Sequence, residues 1–509
     1  IYRNNKNGRA QGKGEYYCFS RKHQNNDAMS FNQYTWDLYK QTTIGIEMIK
    51  YFSDAGGYVL FKDYCPYANF IPEDLYNDWL ENIYCYGVSD YDHPSSLEEA
   101  KDLYISLITL GIRVEGQQWL PANDFKNMLG IIQPMSYVLS QFAPEYFFPY
   151  LFLCRIFELN KIADFFNIDL PNIPKRTDYK GRCMYYWELC EVFYLFRKEN
   201  GLSPADLWSF LYDFAPNNLP SEKIDMPKPS QVWFIGGRLY QEDKSLESKF
   251  WQSSPETKKG DILVHYETSP ISAITCIEIS LTDGVIDPLF RYYGCIYIGN
   301  RINIPHITLK ELQTDEYFFK HPLVRKNFQG VNGWSVNSEN YSELLRMIKT
   351  KGFDIEVLPK LYAPTLPKDV IIEYEHDVEQ QLLEPLLNSM GWYENKDFIR
   401  QLPIQAGRGH RIFPDYALHY GNKPNEERAK VLIEAKLCMR NNKEREEAYL
   451  QARSYARLLN SSVIVLCDKD YLIVYEKKDS FDRDRYKKYC WGDFENPDTF
   501  NELKNKLNI

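Results

Sequence analysis

Val431-Leu432-Ile433-Glu434-Ala435-Lys436, read together with Phe413-Pro414-Asp415-Tyr416-Ala417-Leu418, decides the fold of the C-terminal part of this chain. Side chains two apart on a β-strand project from one face. Glu434 and Lys436 therefore point the same way, and a hairpin between the two stretches brings Asp415 beside them. Two carboxylates and an ammonium then meet at one point. Oxygen ligands suit Mg2+, and a neighbouring lysine can steady a phosphate or orient a water, so the pattern fits hydrolysis of a phosphodiester. On an exposed strand the same residues would be a solvated ion pair of little worth. The flanks argue otherwise: Val431, Leu432, Ile433 and Leu437 read as a strand buried on both faces, where a charge needs a partner or a metal.

Working outward, Asp377 to Met390 carries Val378, Leu382, Leu383, Leu386, Leu387 and Met390 at helical spacing and ends at Gly391. Glu375 and Glu379 lie one turn apart at its leading end. Downstream, Glu444 to Leu459 reads as a second helix on which Gln451 and Tyr455 share a face. Ser462 to Cys467 and Tyr471 to Tyr475 read as strands joined through the Asp468-Lys469-Asp470 turn.

In this order the motifs resemble the restriction-endonuclease superfamily named for its Pro-Asp, Asp/Glu-x-Lys signature, most closely the nuclease domain of type I restriction motor subunits. The carrying residues are Glu375-His376-Asp377-Val378 with Pro385-Leu386-Leu387 and Gly391-Trp392, Gly407-Arg408-Gly409 before Pro414-Asp415-Tyr416-Ala417-Leu418, Ile433-Glu434-Ala435-Lys436, and Gln451-Ala452 with Tyr455-Ala456. The resemblance implies a Mg2+-dependent (or Mn2+-dependent) DNA endonuclease, with Asp415 and Glu434 as metal ligands and Lys436 orienting the attacking water. It also implies that Glu375 helps to hold the metal, with Glu379 the competing choice. Gln451 and Tyr455 match an element that supports such sites; a surface amide and a packed tyrosine are the plainer reading of the pair.

The whole chain has 509 residues, too many for one ordinary core, and 44% hydrophobic content predicts folded domains. A net charge of −10 gives no global footprint for nucleic acid, so a nucleic-acid enzyme needs local basic strips such as Arg400, Arg408 and Arg411. Eleven scattered cysteines without a Cys-x-x-Cys pair predict reduced thiols in a cytoplasmic protein and argue against structural zinc. No apolar run suits a membrane span or a signal region. The chain opens on Ile1, so its numbering is expected to begin inside the natural chain, and a lost leader stays open. Gly8-Arg9-Ala10-Gln11-Gly12-Lys13-Gly14 fails as a phosphate loop on spacing and lacks Ser or Thr after the lysine. Residues 1–30 are therefore expected to be a flexible basic tail, and no nucleotide motor is expected.

Residues 31–220 read as a helical domain, with Ser96-Leu97-Glu98-Glu99 and Ser203-Pro204-Ala205-Asp206 as helix starts and its aromatics as core. The Pro-rich stretch from Pro216 to Pro229 marks a boundary. Beyond it short strands suggest a small barrel, Val232 to Ile235, Ile262 to Tyr266 and Ile274 to Ile279.

This central stretch, 230–350, resembles the EVE domain of the PUA-like superfamily. Val232-Trp233-Phe234-Ile235, Phe250-Trp251, Lys259-Gly260-Asp261-Ile262, Tyr266, Ala273 to Ile279, Phe328-Gln329-Gly330, Tyr341 and Leu344-Leu345 carry the likeness. The family implies a pocket that stacks and reads a flipped, modified base. Trp233, Trp251 and Tyr266 are the cage candidates, Gln252 and Asp261 the edge readers, and Arg325 and Lys326 suit phosphate contact. A packed tryptophan and a turn aspartate are the plainer readings.

The expectation is a multi-domain α+β protein: a helical N-terminal region, a central PUA-like β-barrel, and a C-terminal α/β restriction-endonuclease-like domain with a mixed central sheet over 368–509. Such a chain would cut DNA carrying modified bases, as in restriction or anti-phage defence, with a homodimer plausible for a single site per chain. The alternatives are a non-catalytic nucleic-acid-binding or regulatory protein and an RNA-directed nuclease.

Overall fold

The computed structural model describes residues 31–65, 71–114, 117–220, 226–238, 248–367, 370–405, 411–423 and 426–508. The expected tail at 1–30 lies outside them, as does Gly407-Arg408-Gly409. The chain is mixed α+β with a helical N-terminal region, and it divides into two compact units. The first draws on Ile1–Met226, Asp243–Thr257 and Leu281–Gly299; the second on Pro227–Glu242, Lys258–Ser280 and Asn300–Ile509. Among the described residues no helix is long and apolar enough to cross a membrane.

The helices of the first unit start where the sequence supplies side-chain oxygens. Ser203 and Asp206 close a reciprocal cap with Pro204 in the first turn of Pro204–Ser209. At Leu97–Leu110 the expected box is displaced by one residue: Ser96 accepts from the Glu99 N–H, but the Glu99 carboxylate takes the N–H and hydroxyl of Ser95 at 2.7 and 2.8 Å. The aromatics are core, with Trp36, Phe52, Tyr104, Tyr186, Trp187 and Tyr212 all buried.

Two segments of the central region pack with these helices for an identifiable reason. Arg182, buried on the helix Tyr179–Glu199, donates from Nε to the Pro288 carbonyl at 2.8 Å. Its two terminal nitrogens reach the carbonyls of Arg176 at 2.9 Å and Phe290 at 2.7 Å. Its guanidinium lies 5.3 Å from the ring centres of both Tyr179 and Tyr293. The Tyr297 hydroxyl donates to the Cys154 carbonyl at 2.9 Å. The stretch 230–350 is thus shared between the units, and the short strands Ser248–Gln252 and Val285–Ile286, with the start of Gly294–Thr308, belong to the first.

In the second unit Val232–Gly237 runs parallel to Ile262–Glu267 and antiparallel to Trp334–Val336, and Ala273–Ser280 continues antiparallel on the far side of Ile262–Glu267. The C-terminal part is a six-stranded mixed sheet. Its order follows the chain: Phe398–Arg400, Tyr416–Gly421, Arg428–Ala435, Val463–Cys467, Tyr471–Glu476 and Lys487–Cys490. Arg428–Ala435 and Val463–Cys467 form the parallel pair, joined by the crossover helix Asn442–Leu458.

The alternation of that sheet fixes its layers. Val431, Ile433 and Ala435 pack with Val378, Leu382 and Leu386 of the leading helix and with Phe500 and Leu503 of the last helix. Leu432 faces the opposite way, onto Ala448, Ala452 and Ala456 of Asn442–Leu458. Covered on both faces, these strands read as unbroken apolar runs.

The leading helix runs from Glu375 to Ser389, and its middle turn, Glu379–Leu383, is wound as π-helix. Pro385 lacks an N–H and its ring would meet the carbonyl of Gln381, so a widened turn relieves the clash. Pro216 stands in the same relation to Tyr212 in the π-turn Phe210–Phe214.

Candidate active site

Register brings the carboxylates together. Tyr416 stands opposite Ile433, so the next pair outward is Asp415 with Glu434 at the carboxyl end of a parallel strand. Asp415 Oδ2 accepts the Ala435 N–H at 2.8 Å. Glu434 is fully buried. Its Oε2 accepts from Gln451 Nε2 at 3.1 Å and lies 3.9 Å from Lys436 Nζ. Its Oε1 is buried without a hydrogen-bond partner. Lys436 Nζ donates to the Ala435 carbonyl at 2.8 Å and to Glu375 Oε1 at 3.4 Å. Gln451 Nε2 also lies 3.3 Å from the Tyr455 hydroxyl. All six residues expected at the catalytic centre therefore converge: Asp415, Glu434, Lys436 and Glu375 directly, Gln451 at Glu434, and Tyr455 through Gln451.

Burial, reinforced by the Asp415 charge and opposed by Lys436, pushes the Glu434 carboxyl up to about 8. Lys436 is a stable ammonium: burial works against its charge, but Asp415, Glu375 and Glu434 outweigh it and raise its pKa. Below about 8 the Glu434 carboxyl keeps its proton, and a divalent cation between Glu434 and Asp415 would take the proton's place. The donor set is all oxygen and suits Mg2+ or Mn2+.

The two helix carboxylates have separate tasks. Glu375 meets Lys436, whereas Glu379 Oε2 accepts from Arg400 at 3.0 Å and from the Tyr416 hydroxyl at 3.3 Å. Glu384 completes that group, taking the Tyr416 hydroxyl at 2.7 Å and pairing with Arg400 at 3.2 Å. Burial and the charge of Asp415 both raise the Glu379 carboxyl. Arg400 is thus engaged with two carboxylates rather than offered as a free basic strip; Arg411 is exposed. Glu384 was not legible beforehand. Residues five apart diverge on an α-helix and share a face here because the intervening turn is wider.

Asp468, expected only as part of the strand-joining turn, also reaches outside it. Its carboxylate accepts the N–H groups of Met439 at 2.7 Å, Asp470 at 2.9 Å and Tyr471 at 3.0 Å, locking the segment after Lys436 to the turn between two strands.

The base-reading candidates are not gathered in the same way. Trp233 is 2% exposed and donates from Nε1 to Asp261 Oδ2 at 2.9 Å. Asp261 further accepts from Lys258 N–H at 2.8 Å, Ser230 Oγ at 3.1 Å and Gln231 N–H at 3.2 Å, the behaviour of a turn lock. Tyr266 stacks on Phe328 with ring centres 4.1 Å apart and planes 4° from parallel. Trp251 and Gln252 are partly exposed on Ser248–Gln252, in the other unit. Trp233 in this arrangement offers no open face to a base.

No family model matches the chain, and the comparison with curated proteins gives no match. Among solved structures, the NMR structure of Rpa0253 from Rhodopseudomonas palustris is similar at 13% identity and a TM-score of 0.21, covering 24% of this chain and 94% of that one. At that score the likeness carries no argument.

Proposed function

We propose that the C-terminal part, 368–509, is a nuclease of the Pro-Asp, Asp/Glu-x-Lys type that hydrolyses phosphodiester bonds in DNA with Mg2+ or Mn2+. One observation carries the reading: the partnerless, buried Glu434 Oε1 beside Asp415, with Lys436 Nζ 3.9 Å from the other oxygen of the same carboxylate. Bound between these acids, the metal would neutralise charge on the phosphate and make water a better nucleophile. Asp415 is fixed for that task by the Ala435 N–H and Glu434 by Gln451. Lys436, held by the Ala435 carbonyl and Glu375, keeps its proton and can direct one to a phosphate oxygen or orient the attacking water.

The selective part of the reading, a modified-base reader within 230–350 serving restriction or anti-phage defence, rests on the resemblance of that stretch; the exposed Arg325 and Lys326 support it as phosphate contacts. The test is cleavage of DNA and RNA oligonucleotides, with and without modified bases, by the full chain and by Asp415→Ala and Lys436→Ala. Mg2+-dependent cutting of DNA lost in both variants supports the nuclease. Cutting that survives both substitutions, or binding of metal and DNA without turnover, overturns it. Preferential cutting of RNA assigns the substrate differently, and equal cutting of modified and plain DNA removes the selective part.

A further inference from the structure

The β-region of the second unit buries a set of side chains that the proposed nuclease does not use. His265 on Ile262–Glu267 stands directly opposite Cys276 on Ala273–Ser280, and Glu278, two residues along, shares the face of Cys276. All three are buried. A ring nitrogen of His265, the Cys276 Sγ and a Glu278 carboxylate oxygen thereby lie within 4.8 Å of one another. A buried carboxylate needs a partner, and this one lies beside two groups that also ligate soft metals.

We propose that His265, Cys276 and Glu278 form a zinc site within this sheet. Ligands at about 2.0–2.1 Å in a tetrahedral site stand roughly 3.3 Å apart. His265 Nδ1 and Glu278 Oε2 already stand 3.0 Å apart, so metal entry needs only a small spreading of the pair and a turn of the Cys276 side chain. Arg301 Nε donates to the other oxygen, Glu278 Oε1, at 2.8 Å, and so orients the carboxylate from outside as the outer partners of metal ligands do. The Cys276 thiol has one weak contact, from the Thr275 hydroxyl at 4.0 Å. Bound to the metal as a thiolate, it would add a second anionic ligand beside Glu278 and the neutral imidazole. Sulfur with nitrogen favours zinc over Mg2+ or Mn2+, which separates this site from the all-oxygen one at Asp415 and Glu434.

A second group of similar composition, Cys438, Asp468 and Asp470, lacks this character, because both oxygens of Asp468 are already taken by backbone N–H groups.

The experiment is elemental analysis of the purified full chain, followed by exchange of the metal for Co2+ and visible and near-ultraviolet spectroscopy. About one zinc per chain is expected. The cobalt form should show tetrahedral bands and a thiolate charge-transfer band that Cys276→Ala abolishes and that Asp415→Ala and Cys438→Ala leave intact. Cys276→Ser, with its fold checked by circular dichroism, guards against loss through misfolding. A chain that binds neither zinc nor cobalt, or a band that survives Cys276→Ala, overturns the proposal and leaves a hydrogen-bonded His-Glu-Arg network. Neither outcome bears on cleavage at Asp415 and Glu434.

Discussion

Replacing Glu434 by glutamine separates the electrostatics of the site from its chemistry. A carboxyl held at about 8 instead of 4.5 binds a proton in the folded chain that the unfolded chain releases between those values. Stability therefore falls as pH rises through that window. The penalty is absent below the unfolded value, reaches roughly 3 kcal/mol at neutral pH and levels off near 5 kcal/mol above about 8, at ~1.36 kcal/mol per pH unit. A few kcal/mol is the scale of the effect. Glutamine keeps the shape: its oxygen can accept from Gln451, and its amide can donate toward Asp415. Near pH 8 the Glu434→Gln variant should melt above the parent by about 5 °C or more, at roughly 2–4 °C per kcal/mol, with the difference vanishing near pH 5. Mg2+ should close the gap by binding the parent alone, while cleavage is lost in the variant. Melting curves at both pH values, with chelator and with Mg2+, make the measurement. A variant no more stable than the parent at high pH, or stabilised equally by Mg2+, would refute the reasoning.

Lys436→Ala should lower cleavage by about 10²–10⁴-fold while Mg2+ still stabilises the variant at high pH, because the lysine is not a ligand and its loss only lets the Glu434 proton compete longer; rates and melts measured together check this. Asp468→Ala removes the acceptor of three backbone N–H groups and should cost about 3 kcal/mol in urea denaturation. Arg182→Met leaves the buried Pro288 carbonyl and the partly buried carbonyls of Arg176 and Phe290 without their donor and should destabilise the first unit by about 3 kcal/mol, read by the loss of helical signal on heating.

The C-terminal elements were legible because pattern and packing agree there. The leading helix expected over 377–390 runs over 375–389 and stops before Gly391, whose φ of +85° suits glycine. The strands at Val463–Cys467 and Tyr471–Glu476 fall within a residue of their expected bounds. Period-two reasoning placed Glu434 with Lys436, and a hairpin placed Asp415 beside them, since register in a buried sheet admits no one-residue slip. The central region was less legible. Its strands are buried on both faces, so periodicity could not say which unit each would join, and the contacts that tie 281–299 to the helices include bonds to carbonyl oxygens made by Arg182 and Tyr297. Backbone carbonyls carry no sequence signature. Trp233 and Asp261 illustrate the same limit, because a tryptophan reads alike whether it cages a ligand or caps a turn.

The apolar run that made the Glu434 strand visible is also what gives the carboxylate its chemistry. Val431, Leu432 and Ile433 are buried between helices on both faces, and that enclosure strips water from the acid at the end of the strand. An acid at the sheet's surface would titrate in its ordinary range and bind a divalent ion weakly in competition with solvent. Here the folded chain holds a charge site that is costly while its ligand is missing, so metal binding and proton release must be coupled, with affinity for Mg2+ rising with pH up to about 8. The π-turn extends the argument to the neighbouring group. By placing Glu384 beside Glu379 it gives Arg400 and Tyr416 two carboxylates to hold, and the positive charge of Arg400 keeps Glu379 from adding an unbalanced anion next to Asp415. An Arg400→Met substitution should therefore raise the pH needed for half-maximal Mg2+ binding without removing any ligand, and an unchanged midpoint would show that Glu379 and Asp415 do not sense one another.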